Sequence, residues 1–116
     1  MTRQIKFYRF DNGESPVEVF IDTLTDKAAQ KVIAVFKLIE NAEIVSSRFF
    51  KKLTGTNIWE CRIMWQSDIY RILGFFDKGD LVILTNGFHK KAQKTPASEI
   101  KRAEKYMVDY KRRNSK

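Results

Sequence analysis

The stretch from Ile58 to Phe88 constrains the chain most. It holds three strand-length segments, joined by turns too short for anything but antiparallel neighbours. Residues 58–65, IWECRIMW, alternate Trp59, Cys61, Ile63 and Trp65 against Glu60, Arg62 and Met64. A period of two predicts a strand with one apolar face. Gln66-Ser67-Asp68 reads as a turn. Residues 69–76, IYRILGFF, form the next strand, with Arg71 sharing a face with Ile69, Leu73 and Phe75. Asp77-Lys78-Gly79-Asp80 reads as a hairpin turn of the kind glycine permits. Residues 81–88, LVILTNGF, begin apolar on both faces, as a central strand does. Three strands linked in this way make an antiparallel meander.

The flanks supply the layers that cover it. Residues 4–11, QIKFYRFD, alternate Ile5 and Phe7 against Lys6, Tyr8 and Phe10, and predict a first strand ending in an Asn12-Gly13 turn. Ser15-Pro16-Val17-Glu18 marks a helix start, with Ser15 as N-cap, Pro16 at the first helical position and Glu18 completing a capping box. This helix ends near Leu24. A longer helix runs from Asp26 to about Ile44, with Ala28, Val32, Val35, Phe36, Ile39 and Ala42 in one stripe. The two form a helical hairpin. A last helix starts at Thr95-Pro96, with Thr95 as N-cap, and packs through Ile100, Ala103, Tyr106 or Met107, and Tyr110. The tail after Tyr110, KRRNSK, is expected to fray. The reading is α+β, in the order β-α-α-β-β-β-α. It is an antiparallel sheet with the helical hairpin on one face, the other face staying partly open.

At 116 residues the chain is one domain, 1–116. With 43% hydrophobic residues it can bury a core, which rules out a wholly disordered chain. No apolar run approaches the roughly 18 residues that span a bilayer. MTRQIKFYRF has no apolar signal core, so a cytoplasmic protein is expected. The single cysteine, Cys61, excludes an internal disulfide and a cysteine-rich zinc site. The net charge of +8 is unevenly placed. From His89 onward ten Lys/Arg face three acids, whereas residues 1–88 hold twelve against eleven. This asymmetry fits a polyanionic partner, and equally a solvated, lysine-rich last helix.

Arg62 and Arg71 are the internal arginines of the meander, on adjacent strands. Two guanidinium groups side by side are tolerated when both reach water or when an anion such as phosphate lies between them; pairing with Glu60 or Asp68 is the alternative. His89-Lys90-Lys91-Ala92-Gln93-Lys94 follows the last strand and leads into the final helix, placing cations beside free backbone N–H groups. His89 is the only histidine, and imidazole suits proton transfer near neutral pH, although an ordinary loop histidine has the same appearance. No Gly-rich phosphate loop, GxSxG or metal-ligand spacing occurs, and no cofactor is expected. Cys61, Trp59 and Trp65 read as core. A basic site without a metal suits RNA cleavage, because RNA carries its own nucleophile in the 2′-OH. The protein must then move protons and stabilise charge on the phosphate.

The stretch KKLTGTNIWECRIMWQSDIYRILGFFDKGDLVILTNGFHKKAQKTPASEIKRAEKYMVDY resembles the phage-derived, HigB-like branch of the RelE/ParE toxin superfamily. Its most specific pieces are L-x-G-x-x-x-W-E-x-R-I, Y-R-I-L-x-F-F, and G-F-x-K-K-x-Q-K-T-P followed by E-I-x-x-A. The resemblance implies a small toxin that cleaves mRNA on the ribosome, held inactive in a hetero-oligomer by a helix-turn-helix antitoxin encoded nearby. The superfamily's catalytic basic positions map onto Arg62, Arg71, His89, Lys90 and Lys91, with Lys94 adjoining; Lys90, Lys94, Lys52 and Lys101 are the cations expected to bind RNA. RelE has a lysine where this chain has Glu60, and its late tyrosine has no match near Ala97. Either Glu60 serves as general base or the proton chemistry shifts elsewhere. Two other readings are open: a gyrase-poisoning toxin like ParE, and a phage accessory protein that binds nucleic acid through its basic last helix.

Overall fold

The elements run β1 (Gln4–Phe7), α1 (Pro16–Asp22), α2 (Asp26–Asn41), β2 (Phe50–Lys52), β3 (Trp59–Trp65), β4 (Asp68–Phe76), β5 (Leu81–His89) and α3 (Ala97–Asn114). The computed structural model describes residues 2–90 and 94–115. The three meander strands form as the alternation predicts, each extending one residue or fewer beyond or short of its predicted bounds. The sheet order is β1-β5-β4-β3-β2.

Two features depart from the expected sheet. A fourth long-range partner, β2, pairs antiparallel with β3. Its three residues are too few to show a period of two. At the other edge β1 pairs parallel with β5, so the sheet is mixed rather than antiparallel throughout. The chain leaves β1 through the helical hairpin, crosses to the far edge, and returns strand by strand until β5 runs alongside β1.

The hairpin forms as its caps dictate. Ser15 Oγ accepts the Glu18 N–H at 3.2 Å, and Thr25 Oγ1 accepts the Ala28 N–H at 3.2 Å. The reciprocal half of the capping box is not made. The Glu18 carboxylate pairs instead with Arg9 at 2.8 Å. α1 ends at Asp22, two residues before the expected Leu24, where the C-cap Thr23 folds its hydroxyl onto the Phe20 carbonyl. In α2, Ala28, Val32, Val35, Phe36 and Ile39 are buried as the stripe predicts. The helix stops at Asn41, leaving Ile44 outside and 89% exposed. These residues pack with Val17, Cys61, Ile63, Ile72, Val82 and Leu84 into one dry cluster. Gly87 permits this closeness: a Cβ there would lie 2.5 Å from the Phe20 ring.

The opposite face is not open over its whole area. Ile100, Tyr106, Met107, Tyr110 and buried Ala103 of α3 pack against Tyr8, Ile58, Leu73, Phe75 and Ile83. The helix continues through Asn114 rather than fraying after Tyr110. Asp109 pairs with Arg112 at 2.7 Å and with Arg113 at 2.8 Å. Arg113 also donates to the Arg9 carbonyl at 2.6 Å. Among the described residues, no helix is long and apolar enough to cross a membrane.

Candidate active site

Strand register decides which side chains meet. On the α3 side of the sheet β3 presents Glu60, Arg62 and Met64, and β4 presents Leu73, Arg71 and Ile69. Cross-strand pairing places Arg62 directly opposite Arg71 and Met64 opposite Ile69. Phe88 of β5 lies opposite Arg71. The Lys90 N–H donates to the Ile69 carbonyl at 2.8 Å, extending the ladder one residue past β5. Because α3 covers the Leu73 and Phe75 end, the end bearing Arg62, Met64, Ile69, Phe88 and Lys90 is the part of this face left accessible. Met64 is 43% exposed.

Arg71 is the buried centre of the group. Nη1 donates to Glu60 Oε1, and both side chains are 3% exposed. The Thr95 hydroxyl donates to the other carboxylate oxygen, Oε2. Among the described residues, the buried Nε of Arg71 has no hydrogen-bond partner. Burial lowers the Arg71 pKa, Glu60 opposes that shift, and the neighbouring Arg62 adds to it. Lys90 is likewise lowered, first by burial and then by the positive charge of Arg71, with Glu60 opposing and Arg62 contributing. Four charged groups therefore share one small region: three cations and one carboxylate.

Thr95 does not cap α3. The helix begins at Ala97 with Pro96 in the cap position and no side-chain cap bond, forgoing about 1 kcal/mol that a threonine cap usually contributes. The start of α3 is held instead from the sheet. Asn86 Nδ2 donates to the carbonyl and to Oε1 of Glu99, at 3.3 and 3.1 Å, and the Thr85 hydroxyl donates to Asn86 Oδ1 at 2.6 Å.

A β-bulge sets this arrangement. Leu73 lies opposite Asn86, but Gly74 lies opposite Leu84, so Thr85 is the extra residue. A Cβ on Gly74 would sit 2.5 Å from the Ile83 carbonyl oxygen. The extra residue reverses the side-chain parity of the rest of β5. Asn86 and Phe88 turn toward α3, and His89 turns to the hairpin face. There His89 Nε2 lies 3.0 Å from Asp68 Oδ1, and its ring centroid is 5.2 Å from that of Tyr70. The expected meeting of His89 with Arg62, Arg71 and Glu60 does not occur.

The remaining cations divide. Lys94 is exposed just ahead of Thr95, and Lys101 is exposed on α3. Lys52 pairs with Trp59, on the hairpin side of the edge strand, whereas its neighbour Lys51 is opposite Glu60 and shares the site face. Sequence reading missed Lys51 because β2 was not predicted; the signal was buried Phe50, which fixes the parity of the two lysines after it. Lys91 lies outside the described residues. Cys61 is fully buried, and burial pushes its thiol pKa well up, in keeping with a core role. Among the described residues, no three His, Cys, Asp or Glu side chains are gathered to hold a metal ion.

Arg62, the Glu60-paired Arg71 and Lys90 thus lie together on the half-open face of a mixed sheet. The family model described as Phage derived protein Gp49-like (DUF891) matches residues 19–108. The chain belongs to this RelE/Gp49 toxin-like family, which is associated with the toxins of toxin–antitoxin systems and implies an antitoxin partner. No curated protein matches the chain.

Proposed function

We propose that the protein is a HigB-like toxin that cleaves mRNA on the ribosome without a metal ion, and that a helix-turn-helix antitoxin encoded beside it holds it inactive. The carrying observation is the cross-strand pair Arg62–Arg71 with Lys90 beside it. Such a group costs electrostatic free energy when empty and gains it when a phosphate enters. The family supports a toxin, and the RNA substrate is the polyanion that carries an internal nucleophile.

In this reading the 2′-oxygen attacks the adjacent phosphorus as its proton is removed. The bond to the 5′-oxygen breaks, and that oxygen takes up a proton. The products are a 2′,3′-cyclic phosphate and a 5′-hydroxyl, with no water consumed. Arg62 and Arg71 stabilise the charge on the non-bridging oxygens. Lys90, with its lowered pKa, exchanges the proton. Lys51 and Lys94 hold flanking phosphates, and Lys101, exposed on α3, reaches RNA farther along, whereas Lys52 lies on the hairpin side. His89, on the opposite face, stands outside this arrangement.

Inducing the wild type and an Arg62→Ala/Lys90→Ala double variant, followed by primer extension on cellular mRNA, tests the reading. The wild type should cut within codons, and the double variant should lose at least 100-fold in cleavage while melting at a similar temperature. Growth arrest with DNA damage and intact mRNA would overturn it in favour of a ParE-like gyrase poison.

A further inference from the structure

We infer that Glu60 and Thr95 form a positioning pair for Arg71. Glu60 is thus not the general base, and Thr95 acts on the reaction through it. This inference rests on the proposed RNA-cleaving reading. The argument starts from occupancy. Both carboxylate oxygens of Glu60 are engaged, one by the Arg71 guanidinium and the other by the Thr95 hydroxyl. Glu60 and Arg71 are 2% and 3% exposed. Each oxygen already accepts from a fixed donor, so neither is turned toward a 2′-hydroxyl to take its proton. A base must gain a proton in each turnover, so this carboxylate is poorly placed to be one. It is well placed to fix a guanidinium.

Thr95 supplies the second support. A threonine two residues before the helix is a ready N-cap, yet α3 starts without any side-chain cap and Pro96 takes that position. The hydroxyl crosses to the sheet instead and binds a residue 35 positions earlier in the chain. The carboxylate is thereby held from two sides, by β4 through Arg71 and by the segment ahead of α3 through Thr95. With Nη1 spent on Glu60, the guanidinium keeps Nε as a buried donor that no described residue accepts. The facing Arg62, half-buried at the accessible end of this face, is what a phosphate oxygen would meet first, with the fixed Arg71 guanidinium behind it. Rotation of the Glu60 carboxylate would swing the guanidinium, and the Thr95 bond restrains that rotation. In a site where donors must match the position of developing charge, such restraint acts on the chemical step rather than on RNA binding.

The test uses Thr95→Val, which keeps the shape and removes the hydroxyl, and Thr95→Ser, which restores it. Cleavage of mRNA on programmed ribosomes gives kcat and KM separately, and 15N NMR follows the Arg71 Nε–H. In Thr95→Val, kcat should fall about tenfold with KM changed less than twofold and melting unchanged. Hydrogen exchange at the Arg71 Nε–H should become about tenfold faster. Thr95→Ser should recover both. An unchanged kcat and an unchanged Arg71 signal in Thr95→Val would overturn the positioning pair, as would a serine variant as impaired as the valine one. If the wild type cleaves no RNA, the functional reading fails by itself, and the Arg71 signal still decides whether Thr95 holds the guanidinium.

Discussion

The two faces of the sheet are built from different materials. Under the helical hairpin the buried side chains are almost all aliphatic or aromatic: Val17, Val32, Val35, Ile39, Ile63, Ile72, Val82 and Leu84. Among the described residues this face buries no charged group. The α3 face shares its area between an apolar half around Leu73, Phe75 and Ile83 and a polar half that buries Glu60, Arg71 and Asn86. The first face can only stabilise. The second gives up part of its packing to hold charged groups in fixed positions, which is the mark of a working surface.

The largest expected effect tests that division at its centre. Arg71→Ala should abolish cleavage, but it also strands the Glu60 carboxylate in a buried place. A loss of about 3–5 kcal/mol in stability is expected from an uncompensated buried charge. The alanine variant by itself therefore cannot separate lost chemistry from lost fold. Replacing both partners, Glu60→Met with Arg71→Met, should restore stability to near wild type or above it while cleavage stays absent. Urea denaturation of the single and double variants decides. A double variant as unstable as Arg71→Ala would show that the pair is structural and that the two faces are not so different.

On the dry face the corresponding change is Ile72→Ala. Ile72 is fully buried between α2 and the sheet. Its truncation should cost about 2–5 kcal/mol and leave the cleavage rate of the folded fraction unaltered. A changed rate with unchanged stability would mean that the hairpin face takes part in function. The third test concerns Lys90. Its pKa is lowered, so the neutral amine appears at lower pH than for an ordinary lysine. If Lys90 exchanges the proton as base, cleavage should rise with pH through that lowered value. Lys90→Arg should flatten this limb across the accessible range. A pH–rate profile unchanged in Lys90→Arg would move the proton transfer to another group.

How much of this was legible in the sequence follows from the range of the forces involved. The meander, the cap of α1 and the α3 stripe rest on local patterns, and they appear where Trp59, Ser15 and Ile100 place them. The pairing of Arg62 with Arg71 followed from a short turn, which fixes register. What escaped is non-local. The parallel pairing of β1 with β5 spans most of the chain. The bulge at Thr85 reverses the faces of everything after it, so His89, which the sequence puts with the arginines, stands behind them. Glu60 reads from its own segment as a base or a surface partner, because nothing there shows that Thr95 closes over it. The local use of a threonine before proline is a helix cap. Tertiary demand overrode it.

The smallest expected effect concerns how the charged face is fastened at its far end. Asp109 of α3 accepts the Tyr8 hydroxyl at 2.6 Å and pairs with Arg112 and Arg113. The Tyr8 hydrogen bond, followed by those from the two arginines, holds its pKa down to about 2, against an ordinary 3.8. The sign follows from that direction. The folded carboxylate holds its proton less tightly than the unfolded one, so its contribution to stability is present above about pH 4. It is lost as pH falls toward 2. Asp109→Asn should lower the melting temperature slightly at neutral pH and remove part of the steep decline between pH 4 and pH 2. Among the described residues the hairpin face buries no charged group, and the exposed Glu18 of α1, also held low by its bond to Arg9, shares in the same decline. Melting curves from pH 2 to pH 7 for the two proteins would show it. If Asp109→Asn kept the whole acid-induced decline, the pH sensitivity would have to lie elsewhere, and α3 would be held to β1 by the stacked Tyr8 and Tyr106 rings, 4.7 Å apart, more than by charge.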